Sequence, residues 1–371
     1  MTQPGALAHL RFPVERSLGR RYPEAFSSFR NDFQRDRDRI VHSRAFRRLE
    51  DKTQVFPAGL SDHFRNRLTH TLEVAQLGRT AARVFGLDED FTEALALAHD
   101  IGHPPFAHSG EAALNKMLAR FGERFEHNVH ALRIVEGYEH RYAMHPGLNL
   151  TFEVREGIVK HSRDLPAGYT GELAEYLPGL RPPLEAQLID LVDEIAYNTA
   201  DIDDAHEAGF FGIRELADAT PIAGEFLDQI EMQFPAAEER IQLHELQRRL
   251  IAHLMEGLLE GTIAAAAGLA TVDDVRQHPA RIVKHTAAAT ETTLALKRFL
   301  HARVYHTEVL QEERRQSTQA IEQLFDYFLA HAEQLPEGEG KLERRISDYI
   351  ASMTDGYFRR VYAQHGPHFT Q

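Results

Sequence analysis

Ala94-Leu95-Ala96-Leu97-Ala98-His99-Asp100-Ile101-Gly102-His103-Pro104-Pro105-Phe106-Ala107-His108 begins as an apolar helical run, reaches a His-Asp pair and then breaks. Gly102, Pro104 and Pro105 end the helix just beyond His99 and Asp100, so several polar side chains stand where backbone regularity stops. The same alternation between helical runs and abrupt stops extends in both directions. Apolar spacing predicts helices over 31–52, 66–85 and 90–101, with Phe56-Pro57-Ala58-Gly59 ending the first, a turn or short hairpin after it, Gly86 ending the second, and Asp88 or Asp90 capping the third. Ser109 is the expected cap of a helix over 110–120, and a short helix is expected over 127–141. Residues 150–161 read equally as helix or strand, 164–183 as a Pro/Gly-rich connection, 184–208 as a long helix, and most of 212–362 as helix again. Strand signal is nearly absent, so the expected class is all-α, a helical bundle elaborated by additional C-terminal helices. The expected organisation is an N-terminal arm of low order over 1–29, a core over 30–210 and a helical region over 211–371 packed on it.

Composition narrows the chemistry. The chain has 371 residues, 43% hydrophobic and 26% charged, which is the balance of a globular protein. It has no cysteine, which excludes disulfides, thiolate metal ligands and a cysteine nucleophile; any metal must be held by imidazole and carboxylate. No apolar run approaches the roughly 20 residues of a membrane helix and no signal-peptide pattern opens the sequence, so a cytoplasmic protein without membrane contact is expected. Net charge is −14, yet residues 11–52 carry 12 Arg/Lys against 7 Asp/Glu. That segment reads either as an Arg/Asp-laced solvated helix or as a surface contacting an anion or another subunit. The acidic remainder argues against extended nucleic-acid binding, and single-stranded DNA is not indicated. Histidine stands out, with 22 residues and a cluster between His99 and His130.

A helix over 184–208 places Asp193, Tyr197, Asp201 and Asp204 on one face and Leu188, Leu191, Ile195 and Ile202 on the other. Alone, a row of acids opposite an apolar stripe is a solvated surface. It gains meaning beside His99-Asp100 and beside His70, which follows Arg67 by one turn on a neighbouring helix. His70, His99, Asp100 and Asp193 together offer two imidazoles and two carboxylates, a set suited to Mn, Fe, Co, Ni or Zn rather than Ca. Such a site polarises a phosphoryl oxygen and acidifies bound water, while Arg67 supplies a fixed cation for an anionic substrate. His103, His108, Glu111 and His127 crowd the same place, and imidazole backed by carboxylate is what proton delivery to a leaving oxygen needs.

His70, His99-Asp100 and Asp193 match the H…HD…D pattern of the HD-domain metal-dependent phosphohydrolases. The flanks are narrower: the run from Asp36-Arg37-Asp38-Arg39 to Arg47-Arg48-Leu49, then Arg67-Leu68-Thr69-His70, His99 to His108, Phe125-Glu126-His127-Asn128, and Asp348-Tyr349-Ile350-Ala351-Ser352-Met353-Thr354-Asp355. Over about residues 30–358 the chain resembles the bacterial deoxynucleoside triphosphate triphosphohydrolases, the dGTPase family, in its dGTPase-like branch. The resemblance implies hydrolysis of a dNTP at the α-phosphorus to deoxynucleoside and triphosphate. It implies His70, His99, Asp100 and Asp193 as ligands of a divalent metal, Mn²⁺ first, with Mg²⁺, Fe²⁺, Co²⁺, Ni²⁺ or Zn²⁺ as alternatives. His103, His108, Glu111 and His127 carry over as the catalytic ring, Arg67 as the α-phosphate contact, and Gln54, Tyr197 and Asp201 as readers of the sugar 3′-hydroxyl. The Tyr197 ring is the expected wall against a 2′-hydroxyl. Two departures stand out: Glu194 replaces a phosphate-binding lysine, leaving Lys160 or a C-terminal arginine to meet that charge, and Asn128 replaces a glutamate. Relatives form homo-oligomers, with a hexamer or tetramer expected here, and some use an effector dNTP. The alternatives are another HD phosphohydrolase, acting on a nucleoside monophosphate or an alarmone, and a non-catalytic regulator binding nucleotide or single-stranded DNA.

Overall fold

The computed structural model describes residues 5–56 and 63–365, so Pro57, Ala58 and Gly59 lie outside the described residues. Among the described residues the chain is helical and contains no strand beyond one isolated antiparallel bridge, between Thr53 and Asn66. The helices are, in order, α1 (Asp32–Val41), α2 (Arg44–Arg48), α3 (Arg67–Phe85), α4 (Glu89–Ala98), α5 (Ala107–Ala119), α6 (His127–Arg133), α7 (Phe152–Val159) and α8 (Leu184–Glu207). They continue with α9 (Ile213–Ala219), α10 (Pro221–Gln233), α11 (Glu239–Ala265), α12 (Val272–Gln277), α13 (Ala287–Arg303), α14 (Glu308–Ala330), α15 (Leu342–Ala351) and α16 (Asp355–His365). No helix among the described residues is long and apolar enough to cross a membrane.

Local chemistry sets the ends of the helices that matter most. The Asn66 side chain accepts the Thr69 N–H to start α3, the Asp88 carboxylate accepts the Phe91 N–H to start α4, and Gly86 ends α3 in the left-handed region at φ 81°. Helices α3, α4 and α8 then pack on one another through Val74, Ala81, Phe91, Leu95, Leu188 and Val192, all buried, with α1 on α4 and α11 and α13 along α8. A second apolar cluster joins α5 to α14, α15 and α16 through Leu114, Leu118, Ile321, Phe325, Ile346 and Phe358. The His-Asp turn lies where these two clusters meet, since α4 belongs to the first and α5 to the second.

Several expectations are corrected. The helix expected over 31–52 is broken at Ser43, whose hydroxyl accepts the Phe46 N–H and starts α2, and a 3₁₀ turn, Leu49–Asp51, follows. Ser109 is no cap: α5 starts at Ala107, after Phe106 takes the left-handed conformation at φ 61°. The helix at His127 ends at Arg133 and passes into a π-helical turn over Ile134–Tyr138. The ambiguous 150–161 segment is helix α7. The arm is not of low order where it is described: Leu7, Leu10 and Phe12 are buried, and the Phe12 N–H donates to Glu185 Oε1 at 3.0 Å. The arginines around α1 form internal ties more than a solvated face. Arg20 pairs with Asp32 at 3.0 Å and with buried Asp36, Arg35 with Glu24 at 2.6 Å, and Arg37 with Asp90 at 2.5 Å. Nor is the acidic face of α8 solvated, for Asp201 and Asp204 are both buried.

Candidate metal centre

Three elements converge on the centre. Arg67 and His70 come from the first turn of α3, His99 and Asp100 from the turn that follows α4, and Asp193 from the middle of α8. His70, His99 and Asp100 each offer a ligand atom, and these atoms lie within 4.8 Å of one another. His70 Nε2 is 2.8 Å from Asp193 Oδ1, and His99 Nε2 is 3.5 Å from Asp100 Oδ1 and 3.7 Å from Asp193 Oδ1. His99 Nδ1 donates to the Ala96 carbonyl at 2.6 Å, which leaves Nε2 as the unprotonated nitrogen; that nitrogen is buried without a hydrogen-bond partner. A buried bare imidazole nitrogen facing two carboxylates is the donor arrangement a divalent cation needs, so these residues fit a metal ion.

The electrostatics agree with that fit. Burial holds the His99 imidazole below its ordinary pKa, keeping it neutral. Burial pushes Asp100 up, but Arg67, His99 and His103 outweigh it and hold the carboxyl well below the usual range. Arg67 Nη1 donates to Asp100 Oδ2 at 2.7 Å, so the Arg67 guanidinium is anchored by that carboxylate while its buried Nε has no partner. Asp193 is likewise held low against its burial, by hydrogen bonds from His161 and His70.

Above the ligands sits the imidazole cluster. His103 and His127 stack at 3.9 Å between ring centroids, and Glu111 accepts both the His127 backbone N–H and its ring Nδ1 at 3.0 Å. Burial raises the Glu111 carboxyl, yet the His127 hydrogen bonds prevail and leave it at about 2. Burial and the Arg67 charge keep both His103 and His108 below the ordinary imidazole value. His108 is therefore neutral in the free protein, and an anion beside it would raise its pKa again.

Arg67, His70, Asp100, Asp193, His103, His108 and His127 line a cavity of about 510 Å³, which also takes in Gln54, Tyr197, His161, Asp190, Glu194 and Lys297. A second cavity of about 510 Å³ adjoins it, and Gln54, His108 and Tyr197 line both. Gln54 is buried with its Oε1 unpartnered. Asp201 lies behind this wall: its Oδ2 accepts the Tyr305 hydroxyl at 2.5 Å, and Tyr305, stacked on Tyr197 at 6.2 Å, is the group that lines the second cavity. Burial pushes the Asp201 carboxyl up to about 7.

Lys160 does not reach either cavity. Its ammonium is buried and donates to Glu156 Oε1 at 2.8 Å and to the carbonyls of Leu177 and Leu180 at 3.0 and 2.8 Å, which occupies all three protons. Besides Arg67, the metal-side cavity carries Lys297 of α13, ion-paired with Glu194. Asn128 donates to the His161 carbonyl at 2.8 Å and so acts on the backbone. Sequence reasoning also missed His161, whose Nδ1 lies 2.9 Å from Asp190 Oδ1 and whose ring Asp190 and Asp193 raise to about 10 against burial. Asp190 stands three residues before Asp193 on α8, a spacing that could have flagged it; Lys297 and Tyr305 carry no local signal.

A family model described as HD domain matches residues 67–198, and one described as phosphohydrolase-associated domain matches 283–364. A relative from Geobacter sulfurreducens, named deoxyguanosinetriphosphate triphosphohydrolase-like protein, is 42% identical over 361 residues, covering 94% of this chain and 92% of its own. Proteins of the same name from an Azoarcus species and from Parvibaculum lavamentivorans are 45% and 42% identical and cover 94% and 99% of this chain, with 94% and 99% of their own lengths.

Proposed function

The chain belongs to the deoxyguanosinetriphosphate triphosphohydrolase-like family of HD-domain proteins, and on that premise we propose that it hydrolyses deoxynucleoside triphosphates at the α-phosphorus in a metal-dependent reaction. The observation that carries this reading is the pair of adjoining cavities sharing Gln54, His108 and Tyr197. One holds the His/Asp cluster; the other sets the rings of Tyr197 and Tyr305 and the Leu310 side chain beside Glu313 and Arg314, which suits a molecule with a polyphosphate half and a nucleoside half.

In this reading His70, His99, Asp100 and Asp193 hold a divalent ion, Mn²⁺ in the first instance. When bound, the ion supplies Lewis acidity to a phosphoryl oxygen and acidifies water. Arg67, anchored on Asp100, neutralises a non-bridging oxygen of the α-phosphate. The bond that breaks joins the α-phosphorus to O5′, the water oxygen stays with the released triphosphate, and O5′ leaves with a proton. His108 delivers that proton once phosphate beside it has raised its pKa, and His127, oriented by Glu111, presents its Nε2 to the same space. Gln54 and Tyr197 read the sugar, with the Asp201 carboxylate acting through Tyr305. Lys297 takes the place expected of Lys160 as the nearby cation.

The test is product analysis after incubating metal-stripped protein with each dNTP, singly and mixed, with and without Mn²⁺. Deoxynucleoside plus triphosphate, formed only with metal, is the expected result, and a rise in rate on adding a second dNTP would extend the reading to an effector. Phosphate or pyrophosphate as product moves the chain to another HD reaction, and absence of turnover in every mixture makes it a binding protein.

A further inference from the structure

We propose that Asp355, in the segment Asp348 to Asp355, is a positioning residue that holds the two sides of the catalytic cavity in register. Its carboxylate is not engaged by its own helix. Thr354 Oγ1 accepts the Tyr357 N–H at the start of α16, which leaves both Asp355 oxygens to reach across the molecule. Oδ2 accepts the Thr53 N–H at 2.9 Å and Oδ1 accepts the Phe106 N–H at 3.1 Å.

Those two N–H groups sit at decisive places. Thr53 precedes Gln54, and the Lys52 carbonyl just before it accepts the Arg67 N–H at 3.1 Å, so this strap runs from the cavity wall to the start of α3. Phe106 is the left-handed residue at which α5 begins, and α5 carries His108 and Glu111. A non-glycine residue at φ 61° is strained and persists only where its surroundings hold it. One carboxylate thus fixes the Gln54 side and the His108 side at a set separation. Lys52 reinforces the link, because its buried ammonium donates to the His103 carbonyl and, at 3.0 Å, to the Ala351 carbonyl of α15.

The catalytic part of the inference rests on the triphosphohydrolase reading; the positional part does not, and the experiment separates them. Asp355→Asn puts an NH₂ group where one oxygen accepts an N–H, and Thr354→Ala removes the cap of α16 without touching either N–H. Hydrogen exchange on the folded proteins is expected to open at Thr53 and Phe106 in Asp355→Asn and to stay closed there in Thr354→Ala. Turnover per folded molecule is expected to fall on the order of 100-fold in kcat/KM for Asp355→Asn, with kcat and KM both moving, and to hold in Thr354→Ala. Equal effects of the two variants on turnover, or unchanged exchange in Asp355→Asn, overturns the proposal. So does an Asp355→Asn chain that fails to fold, which assigns the carboxylate to stability alone. If the wild type turns over no dNTP, the functional reading fails while the exchange result still decides the positional one.

Discussion

The hydrogen bonds that Glu111 accepts come from His127, one from its backbone N–H and a forked one from its ring Nδ1 to both carboxylate oxygens. The ring bond puts the proton on Nδ1, leaves Nε2 bare toward the cavity and places a negative charge behind any imidazolium that forms there. Glu111→Gln keeps an acceptor but removes that charge. Turnover is expected to fall roughly 10- to 100-fold while Mn²⁺ affinity holds, as read from kcat beside a metal titration. A loss of metal in step with rate would instead place Glu111 among the ligands, for its carboxylate also lies within 4.8 Å of His103 and His108. His108→Ala is expected to lose most turnover and keep its metal, and full activity in that variant defeats the proton-donor role. At this scale the candidate site was legible where chemistry repeats locally: His-Asp before a helix break, and Asp193 and Tyr197 one turn apart on one helix, though Asp201 a further turn on lies behind the cavity wall. It was illegible where packing alone makes a neighbour. Lys297 meets Glu194 from more than 100 residues away, and Lys160 is unavailable because Glu156 and the carbonyls of Leu177 and Leu180 take its three protons.

The turn between α4 and α5 is held by an absence of side chain at Gly102. A Cβ there would lie 2.0 Å from the His127 carbonyl oxygen and 2.5 Å from the Ala131 nitrogen, both on the backbone of α6. Helix α6 can therefore approach closely enough for the His127 ring to stack on His103. Gly102→Ala forces α6 outward, at a cost of about 1–3 kcal/mol typical of overpacking, and moves His127 away from the cavity. Denaturant unfolding is expected to shift to lower concentration, and turnover to drop further than the folded fraction explains; a variant of wild-type rate would mean that α6 can yield without moving His127. Element boundaries show the same division between local and distant causes. Asn66, Gly86 and Asp88 cap by chemistry visible in the sequence; α3 fills its expected span, while α4 stops at Ala98, before the His-Asp turn and short of the expected residue 101. Ser109 has equally good capping chemistry, but Phe106 starts α5 earlier, in a conformation that Asp355 braces from the other end of the chain. No window of neighbouring residues contains that partner.

Across the whole molecule, the N-terminal arm is secured by a carboxylate it does not carry. Leu7, Leu10 and Phe12 show no sustained period, and they are buried by distant partners: the Phe12 ring packs on Phe33 of α1 and Phe91 of α4, and the Leu7 N–H donates to the Phe85 carbonyl. Glu185, at the start of α8, accepts the Phe12 N–H at 3.0 Å and the Asp88 N–H at 3.3 Å, while its Oε2 is buried without a partner. Burial pushes this carboxyl from its ordinary 4.5 up to about 7, with the N–H bonds offsetting only part of the effect. A folded-state pKa above the unfolded one means that the native chain holds a proton which the unfolded chain has released. The two states protonate alike below the unfolded value, and native stability is lost as pH rises from there through about 7. The gap corresponds to roughly 3 kcal/mol as an upper bound. Glu185→Gln keeps an oxygen for Phe12 and Asp88 and cannot ionise. Any misfit of its NH₂ group lowers stability equally at every pH, so the slope alone carries the information. Unfolding free energies measured from pH 5 to pH 8 for both proteins should therefore diverge, the variant gaining on the wild type as pH rises. Parallel curves would show that Glu185 is ionised in the native state, and that the arm is held by a charged acceptor.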